Sequence, residues 1–222
     1  MEVIDMSSRK QTQDVIVNAG DVNLEGNLTI PDSAKALVVF VHGSGSSRFS
    51  PRNQYVARTL NQAGLATLLF DLLTEDENQI DQFTRELRFN IEMLSERTIA
   101  AIDWITEQSE LSGLPIGLFG ASTGAAAALN AASERPKQVA TVVSRGGRPD
   151  LALQNIAKVK APTLLLVGGL DFQVIEMNRT AANAMNAECK IAIIEGATHL
   201  FEEPGTLEQV AQMAQQWIIK HL

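Results

Sequence analysis

The chain has 222 residues, of which 45% are hydrophobic, and this length predicts one globular domain over residues 1–222. Eighteen basic residues against 26 acidic ones give a formal net charge of -8, which argues against nucleic acid or an anionic membrane surface as a partner. The single cysteine, Cys189, excludes an internal disulfide framework and is typical of a reducing cytoplasm. The sequence also lacks an apolar stretch of roughly 18 residues and the features of a signal peptide, so we expect a cytoplasmic protein.

Apolar runs alternate with helical patterns along most of the chain. Two strands around a turn at 19–21 come first, and strand–helix units follow. The predicted strands are 14–18, 23–30, 36–41, 65–70, 115–119, 139–143, 163–167 and 190–194. The predicted helices are 52–63, 83–107, 125–132, 151–159, 174–185 and 207–219, with a polar loop at 74–82. This order predicts an α/β protein with a mainly parallel central sheet and helices on both faces.

One pentapeptide, Gly120-Ala121-Ser122-Thr123-Gly124, joins a predicted strand to an alanine-rich predicted helix. The G-x-S-x-G pattern in this context is typical of a nucleophile elbow, in which a strained turn holds the serine hydroxyl at the top of the sheet. The helix that follows offers free N–H groups to a developing negative charge. We therefore interpret Ser122 as a catalytic nucleophile, whereas the pattern alone would also fit a plain Gly/Ser loop.

A serine nucleophile needs a base, and the chain contains three histidines: His42, His199 and His221. His221 is the penultimate residue and is discounted because chain ends fray. His199 follows the apolar run 191–194 in a loop, late in the chain, and is the predicted base. The alternative is a loop histidine that only binds a backbone carbonyl.

The base in turn needs a carboxylate to orient it. Asp171 follows a strongly apolar strand and a double glycine, which places it well to reach His199. Four other carboxylates compete for this role: Asp71, Glu75, Asp150 and Glu195. Glu195 could replace Asp171 if Asp171 faces away from His199. Asp150 is a predicted N-cap of a helix instead.

An oxyanion hole needs two N–H donors, and we predict those of Ser44 and Thr123. Ser44 lies in the glycine-rich loop 42–47 after an early strand, which we name the oxyanion loop. His42 and Gly43 of this loop are also candidate substrate contacts. Such loops also bind phosphate, but the lysine-bearing P-loop pattern is missing.

Arginines near the predicted site suggest a preference for anionic esters. Arg145 and Arg148 follow the strand 139–143, and Arg48 and Arg52 flank the oxyanion loop. Asp71, at the end of the strand 65–70, is a further candidate substrate contact. Clustered arginines bind carboxylates or phosphates, and the equally supported alternative is surface arginines paired with nearby acids such as Asp150.

With these motifs in place, the chain resembles the α/β-hydrolases, and more narrowly the dienelactone hydrolase-like branch of small enzymes without a lid domain. The resemblance covers nearly the whole chain and rests on the segments 42–45, 120–124, 168–171 and 196–199. The order Ser122, Asp171, His199 is that of the fold. Dienelactone hydrolases use a cysteine nucleophile, and Ser122 takes its place here. The segments 44–53 and 70–74 are also similar to a bacterial subgroup, which implies a bacterial origin.

The resemblance implies a serine hydrolase that acts on small carboxylic esters through an acyl-enzyme, with a small-molecule substrate and no cofactor or metal. The stretch 144–170 is too short for a lid, so we expect a site that is shallow or covered only by loops such as 74–82. Acyl-enzyme chemistry also permits a thioesterase, an amidase or an acyltransferase. A ligand-binding protein on a hydrolase scaffold is the non-enzymatic alternative, because fold does not fix function.

Overall fold

The computed structural model describes residues 11–222. The prediction that the N-terminus is not a signal peptide concerns residues that lie partly outside this range. The described residues form an eight-stranded sheet with helices on both faces. The strands are β1 (Gln11–Ala19), β2 (Val22–Ile30), β3 (Leu37–Val41), β4 (Ala66–Phe70), β5 (Ile116–Ala121), β6 (Val139–Arg145), β7 (Thr163–Gly168) and β8 (Cys189–Ile194). The helices are α1 (Pro51–Gln62), α2 (Glu75–Thr84), α3 (Ile91–Glu107), α4 (Thr123–Glu134), α5 (Leu153–Ile156), α6 (Phe172–Ala184) and α7 (Thr206–Lys220).

The sheet order is β1-β2-β4-β3-β5-β6-β7-β8. The β1–β2 hairpin pairs antiparallel and joins β4 antiparallel, and every later pairing is parallel. The predicted class, a mainly parallel α/β sheet that begins with a hairpin, is therefore confirmed. In such a sheet the carboxyl ends of the parallel strands share one edge, where ligands bind.

Two hydrophobic layers hold the helices against the sheet. On one face, apolar side chains of β3 and β5 pack against α3 and α4. On the other face, Phe40 and Phe119 meet α1 and α7, with their ring centroids 4.9 Å apart. Strands buried on both faces read as continuous apolar runs, which is why β3, β4, β5 and β7 were recognisable in the sequence.

The prediction of a loop at 74–82 is wrong, because this segment forms α2. Thr74 caps the helix by accepting from the N–H of Glu77, and the Glu77 carboxylate accepts in return from the N–H of Thr74. This capping box, Thr-x-x-Glu, was readable in the sequence. Its acidic first turn also favours a helix start.

The prediction of one helix over 83–107 is wrong in its first part. α2 ends at Thr84, its C-cap residue Arg85 has a left-handed φ of 58°, and a 3-10 turn at Leu87–Phe89 precedes α3. Asp81 stabilises the break, since its carboxylate accepts from the N–H groups of Leu87 and Arg88. The predicted helix 151–159 is likewise shorter: a 3-10 turn at Pro149–Ala152 leads into the single turn of α5.

Candidate active site

Ser122 lies in a sharp turn between β5 and α4. Its backbone has φ 50° and ψ -122°, a conformation that costs a non-glycine residue about 1–3 kcal/mol. The surrounding backbone holds it there, because the Ser122 N–H donates to the carbonyl of Arg145 at 3.2 Å. Its own carbonyl accepts from the N–H groups of Ala125 and Arg148.

Close packing around this turn explains the glycines of the pentapeptide. A Cβ at Gly124 would lie 2.2 Å from the carbonyl oxygen of Val41, and one at Gly120 would lie 2.5 Å from the Cα of Ala125. A Cβ at Gly43 would lie 3.0 Å from the Cβ of Ser122. The oxyanion loop therefore passes directly beside the serine.

His199 and Asp171 form a hydrogen-bonded pair at the same edge of the sheet. Nδ1 of His199 lies 2.6 Å from Oδ2 of Asp171, and their side chains are 40% and 17% exposed. Asp171 precedes α6 directly after β7, and His199 lies in the loop after β8. This bond occupies Nδ1, which leaves Nε2 as the ring nitrogen free for proton transfer.

The loop 145–148 lies between the serine and the histidine. Arg145 and Arg148 bond to the backbone of Ser122, and a Cβ at Gly146 would lie 3.6 Å from Cε1 of His199. Within residues 11–222 the Ser122 hydroxyl makes no hydrogen bond to His199. Bonds of this kind are often long in ligand-free sites and tighten when substrate binds.

A second loop contact fixes the segment that carries His199. The Glu203 carboxylate accepts from the N–H of Thr198 at 3.1 Å and from its hydroxyl at 2.6 Å. These bonds hold the pKa of Glu203 below its usual value. Phe201, with φ 56° and 2% exposure, anchors the same loop in the core. The roles of Glu203 and Phe201 were not predicted from the sequence.

The two predicted oxyanion donors are linked to each other. The N–H of Ser44 donates to Oγ1 of Thr123 at 3.0 Å, and the two hydroxyl oxygens lie 2.8 Å apart. The Ser44 hydroxyl donates to the carbonyl of Arg88 at 3.1 Å. Arg88 is held by the buried carboxylate of Asp81, 2.5 Å from its Nε. The Thr123 side chain and the pair Arg88–Asp81 were not recognised from the sequence, which offers no local motif for them.

A cavity of about 480 Å³ lies beside the oxyanion loop, between that loop and α2. Gly43 and Ser44 line it, as do Leu72, Thr74 and Asp76. The expectation that loops alone cover this region is therefore wrong, because α2 and the turn after it form one wall of the cavity.

His42 is a buried residue that lines the same cavity directly after β3, and both nitrogens of its ring have partners. Nδ1 lies 2.9 Å from the carbonyl of Gly43, and Nε2 accepts from the N–H of Leu72 at 3.0 Å. This pairing requires the neutral ring with its proton on Nδ1. Burial lowers the pKa of His42, although the bond to Gly43 and the charge of Asp71 act in the opposite direction.

The predicted substrate-binding arginines differ in their partners. Arg48 pairs with Asp71 and also with Glu25 at 2.5 Å, and Arg148 pairs with Asp150 at 2.8 Å. Arg145 is 8% exposed, and among residues 11–222 it has no carboxylate partner. The competing acids Asp71 and Asp150 are thus occupied by these arginines rather than by a histidine.

Within residues 11–222 no group of three or more His, Cys, Asp or Glu side chains is placed to hold a metal ion. The helices in this part of the chain are all too short or too polar to cross a bilayer.

Comparisons with known proteins identify the family and the fold. Residues 24–218 match the model of the dienelactone hydrolase family. A crystal structure of dienelactone hydrolase from Anabaena variabilis is 55% identical, with a TM-score of 0.95 over 96% of this chain and 99% of that one. Est1E from Butyrivibrio proteoclasticus, at 16% identity, shares the fold with a TM-score of 0.79 over 94% of this chain and 98% of that one.

A curated relative from Mycobacterium tuberculosis is 52% identical over 210 residues and is named "Putative phosphoribosyl transferase". The match covers 95% of this chain but 46% of that protein, so the chain spans about half the length of this relative. Since the family model covers most of the chain and the Anabaena structure superposes almost completely, the chain has the α/β-hydrolase fold and belongs to the dienelactone hydrolase family.

Proposed function

We propose that the chain is a serine hydrolase that cleaves small carboxylic esters, with Ser122 as nucleophile, His199 as general base and Asp171 as the group that orients the base. The observation that carries the proposal is the 2.6 Å bond between Asp171 and Nδ1 of His199, at the sheet edge where the strained turn presents Ser122. Family membership supports hydrolysis in general. The choice of ester and of serine chemistry rests on the site residues.

In the proposed reaction, Nε2 of His199 takes the proton of the Ser122 hydroxyl as its oxygen attacks the ester carbonyl. The tetrahedral intermediate collapses, the C–O bond to the alcohol breaks, and His199 donates its proton to the leaving oxygen. Water then attacks the acyl-enzyme with His199 again as base, which releases the acid and restores the Ser122 hydroxyl. Asp171 keeps the Nδ1 proton in place and stabilises the imidazolium in both halves.

The developing oxyanion is proposed to bind the N–H groups of Ser44 and Thr123. The N–H of Thr123 lies in the first turn of α4, whose positive dipole end favours negative charge. Ser44 can serve only after its N–H leaves Oγ1 of Thr123. Movement of one hydrogen bond is thus part of the proposed reaction.

The name of the mycobacterial relative gives no support to a transferase activity in this chain, because the match covers 46% of that protein. The proposal of acyl transfer is supported instead by the hydrogen-bonded pair His199–Asp171 and by the strained turn at Ser122.

Covalent labelling tests the nucleophile independently of the natural substrate. A fluorophosphonate probe should label the protein at Ser122 and should fail to label Ser122→Ala, with Ser144→Ala as the matched control of a serine buried in β6. Labelling that persists in Ser122→Ala would contradict the proposal. Labelling that is strongly slowed in His199→Ala would support the assigned base.

A further inference from the structure

Arg145 is a buried cation that has no counter-ion among the residues that the structure describes. It is 8% exposed, and its Nη1 is fully enclosed without a hydrogen-bond partner among residues 11–222. Burial of an unpaired charge is strongly unfavourable, because its lost hydration is not replaced. Burial, with a smaller effect from the charge of Arg52, lowers the pKa of Arg145 to about 10. The guanidinium therefore stays charged near neutral pH and lacks the anion that would stabilise it.

Other buried or half-buried arginines show the contrast. Arg97 makes a bidentate pair with Glu77, and Arg135 makes one with Asp103. Arg88 pairs with Asp81 and Arg148 with Asp150. Each of these four arginines thus has a carboxylate partner, and Arg145 differs from them in having none within residues 11–222.

The surroundings of Arg145 add positive charge. Its guanidinium carbon lies 6.0 Å from the ring centre of Phe119, on the sheet face that α1 covers. Arg52, in the first turn of α1, is close enough to affect its charge state. Within residues 11–222, Arg52 pairs with the largely exposed Glu202 at 3.2 Å, and its buried Nε has no acceptor. The N-terminus of the 12-residue α1 contributes the positive end of its dipole.

A buried acceptor lies in the same helical turn. Asn53 is 2% exposed, and its Oδ1 has no donor within residues 11–222. The first turn of α1 and the end of β6 thus present buried donors without acceptors and a buried acceptor without a donor. A carboxylate accepts hydrogen bonds only, whereas a phosphate monoester near neutral pH also exists as a monoanion with one O–H donor.

We propose that Arg145 and Arg52, with the N-terminus of α1, bind the phosphate group of a phosphorylated ligand. The two guanidinium groups attract an anion, and the unpartnered Oδ1 of Asn53 favours phosphate over a carboxylate, because only a phosphate monoanion carries an O–H group that can donate to it. The backbone carbonyl of Arg145 accepts from the N–H of Ser122, so Arg145 lies at the strand end next to the turn that carries Ser122. As a substrate subsite it rests on the proposed function and makes the substrate an ester that carries phosphate.

Thermal unfolding in inorganic phosphate tests the binding itself. At constant ionic strength, phosphate should raise the Tm of the wild type with the logarithmic concentration dependence of single-site binding, and should raise the Tm of Ser122→Ala and of the exposed control Arg179→Gln equally. Arg145→Met keeps the apolar stem against Phe119 and removes the charge. It should abolish the phosphate effect and raise the Tm in phosphate-free buffer, because an unpaired buried charge is gone.

Arg52→Gln provides a second variant at a more exposed position. Loss of one charge-assisted hydrogen bond should weaken phosphate binding about ten- to a hundred-fold. An absent phosphate effect in the wild type, or an equal effect in Arg145→Met, would overturn the site. An equal effect of acetate would overturn the choice of phosphate and assign a carboxylate instead.

A kinetic measurement tests the link to the nucleophile. Phosphate should inhibit p-nitrophenyl acetate hydrolysis competitively in the wild type and should lose this effect in Arg145→Met. Non-competitive inhibition would overturn the role as a substrate subsite. Phosphate binding is also measured in Ser122→Ala, where it does not depend on catalysis. If phosphate binds but the wild type hydrolyses no ester, the result contradicts the proposed function and leaves the phosphate site standing.

Discussion

The backbone N–H of Ser44 donates to the side chain of Thr123 at 3.0 Å, and Thr123 is itself the other predicted oxyanion donor. The Thr123 hydroxyl thus holds the loop 42–47 and occupies the N–H of Ser44. Because an oxyanion is a stronger acceptor than a hydroxyl, the proposed intermediate should displace Thr123 from this N–H. The contact would then link the position of the loop to the charge that forms in the proposed reaction.

Thr123→Val tests this competition. Valine has the shape of threonine without the acceptor, so the Ser44 N–H becomes free to bind the oxyanion. One neutral hydrogen bond contributes about 0.5–1.5 kcal/mol, which corresponds to an increase in kcat of about two- to ten-fold. Thr123→Ser, which keeps the hydroxyl, is the control. A hundred-fold loss in Thr123→Val would show instead that the hydroxyl is needed to position the loop.

Asp171→Asn tests the orientation of the histidine. The amide occupies the same space, but its NH₂ group can donate to Nδ1 and stabilise the wrong tautomer of His199. Loss of the corresponding aspartate in a serine protease lowers kcat about 10⁴-fold, and we expect a loss of this order in p-nitrophenyl acetate turnover. Glu195→Gln is the matched control, since Glu195 was the alternative carboxylate. A larger loss in Glu195→Gln would reverse the assignment.

Asp81→Asn tests the support behind the oxyanion loop. Asp81 is 1% exposed and accepts from two backbone N–H groups and from Nε of Arg88, bonds that hold its pKa below the usual value. Removal of its charge should lower the free energy of unfolding by about 3 kcal/mol, as for a buried pair that loses one partner. Urea denaturation measures this change. Glu176→Gln, which breaks an exposed pair on α6, should change stability by less than about 1 kcal/mol.

The pH dependence of stability tests the neutral state of His42. Its pKa in the folded protein lies below the ordinary value of 6.5, so the unfolded chain binds a proton that the folded chain does not. Stability should therefore fall as pH drops below about 6.5, by at most about 1.4 kcal/mol per pH unit from this group. His42→Gln keeps an acceptor for Leu72 and should show a shallower fall between pH 6.5 and 5. Equal slopes in the two proteins would contradict a neutral His42.

Much of the sheet was predictable because its physical signals are local. Buried parallel strands such as β5 and β7 appear as short apolar runs, and the elbow has glycines at positions where a Cβ would collide with backbone. The prediction for the segment 74–90 was wrong because its polar composition was interpreted as a loop, although Thr74 and Glu77 form a capping box that signals a helix start. The break after α2 depends on Asp81, a contact that no sequence spacing announces.

The predicted site residues lie at one edge of the sheet, but their partners were beyond the sequence. Nothing in the chain order indicates that Arg48 pairs with Asp71, that Arg148 pairs with Asp150, or that Arg145 has no carboxylate partner among residues 11–222. These pairings depend on which strand ends meet in three dimensions. Because Arg48 and Arg148 are paired in this way, Arg145 and Arg52 are the two arginines of the predicted cluster that remain candidates for binding an anion.

Steady-state hydrolysis of p-nitrophenyl acetate and butyrate by the purified protein, beside Ser122→Ala, tests the central claim most directly. We predict repeated turnover by the wild type and a loss of at least about 10³-fold in the variant, with circular dichroism showing that both are folded. Turnover in Ser122→Ala equal to that of the wild type would contradict the assignment of Ser122 as the nucleophile of an ester hydrolase.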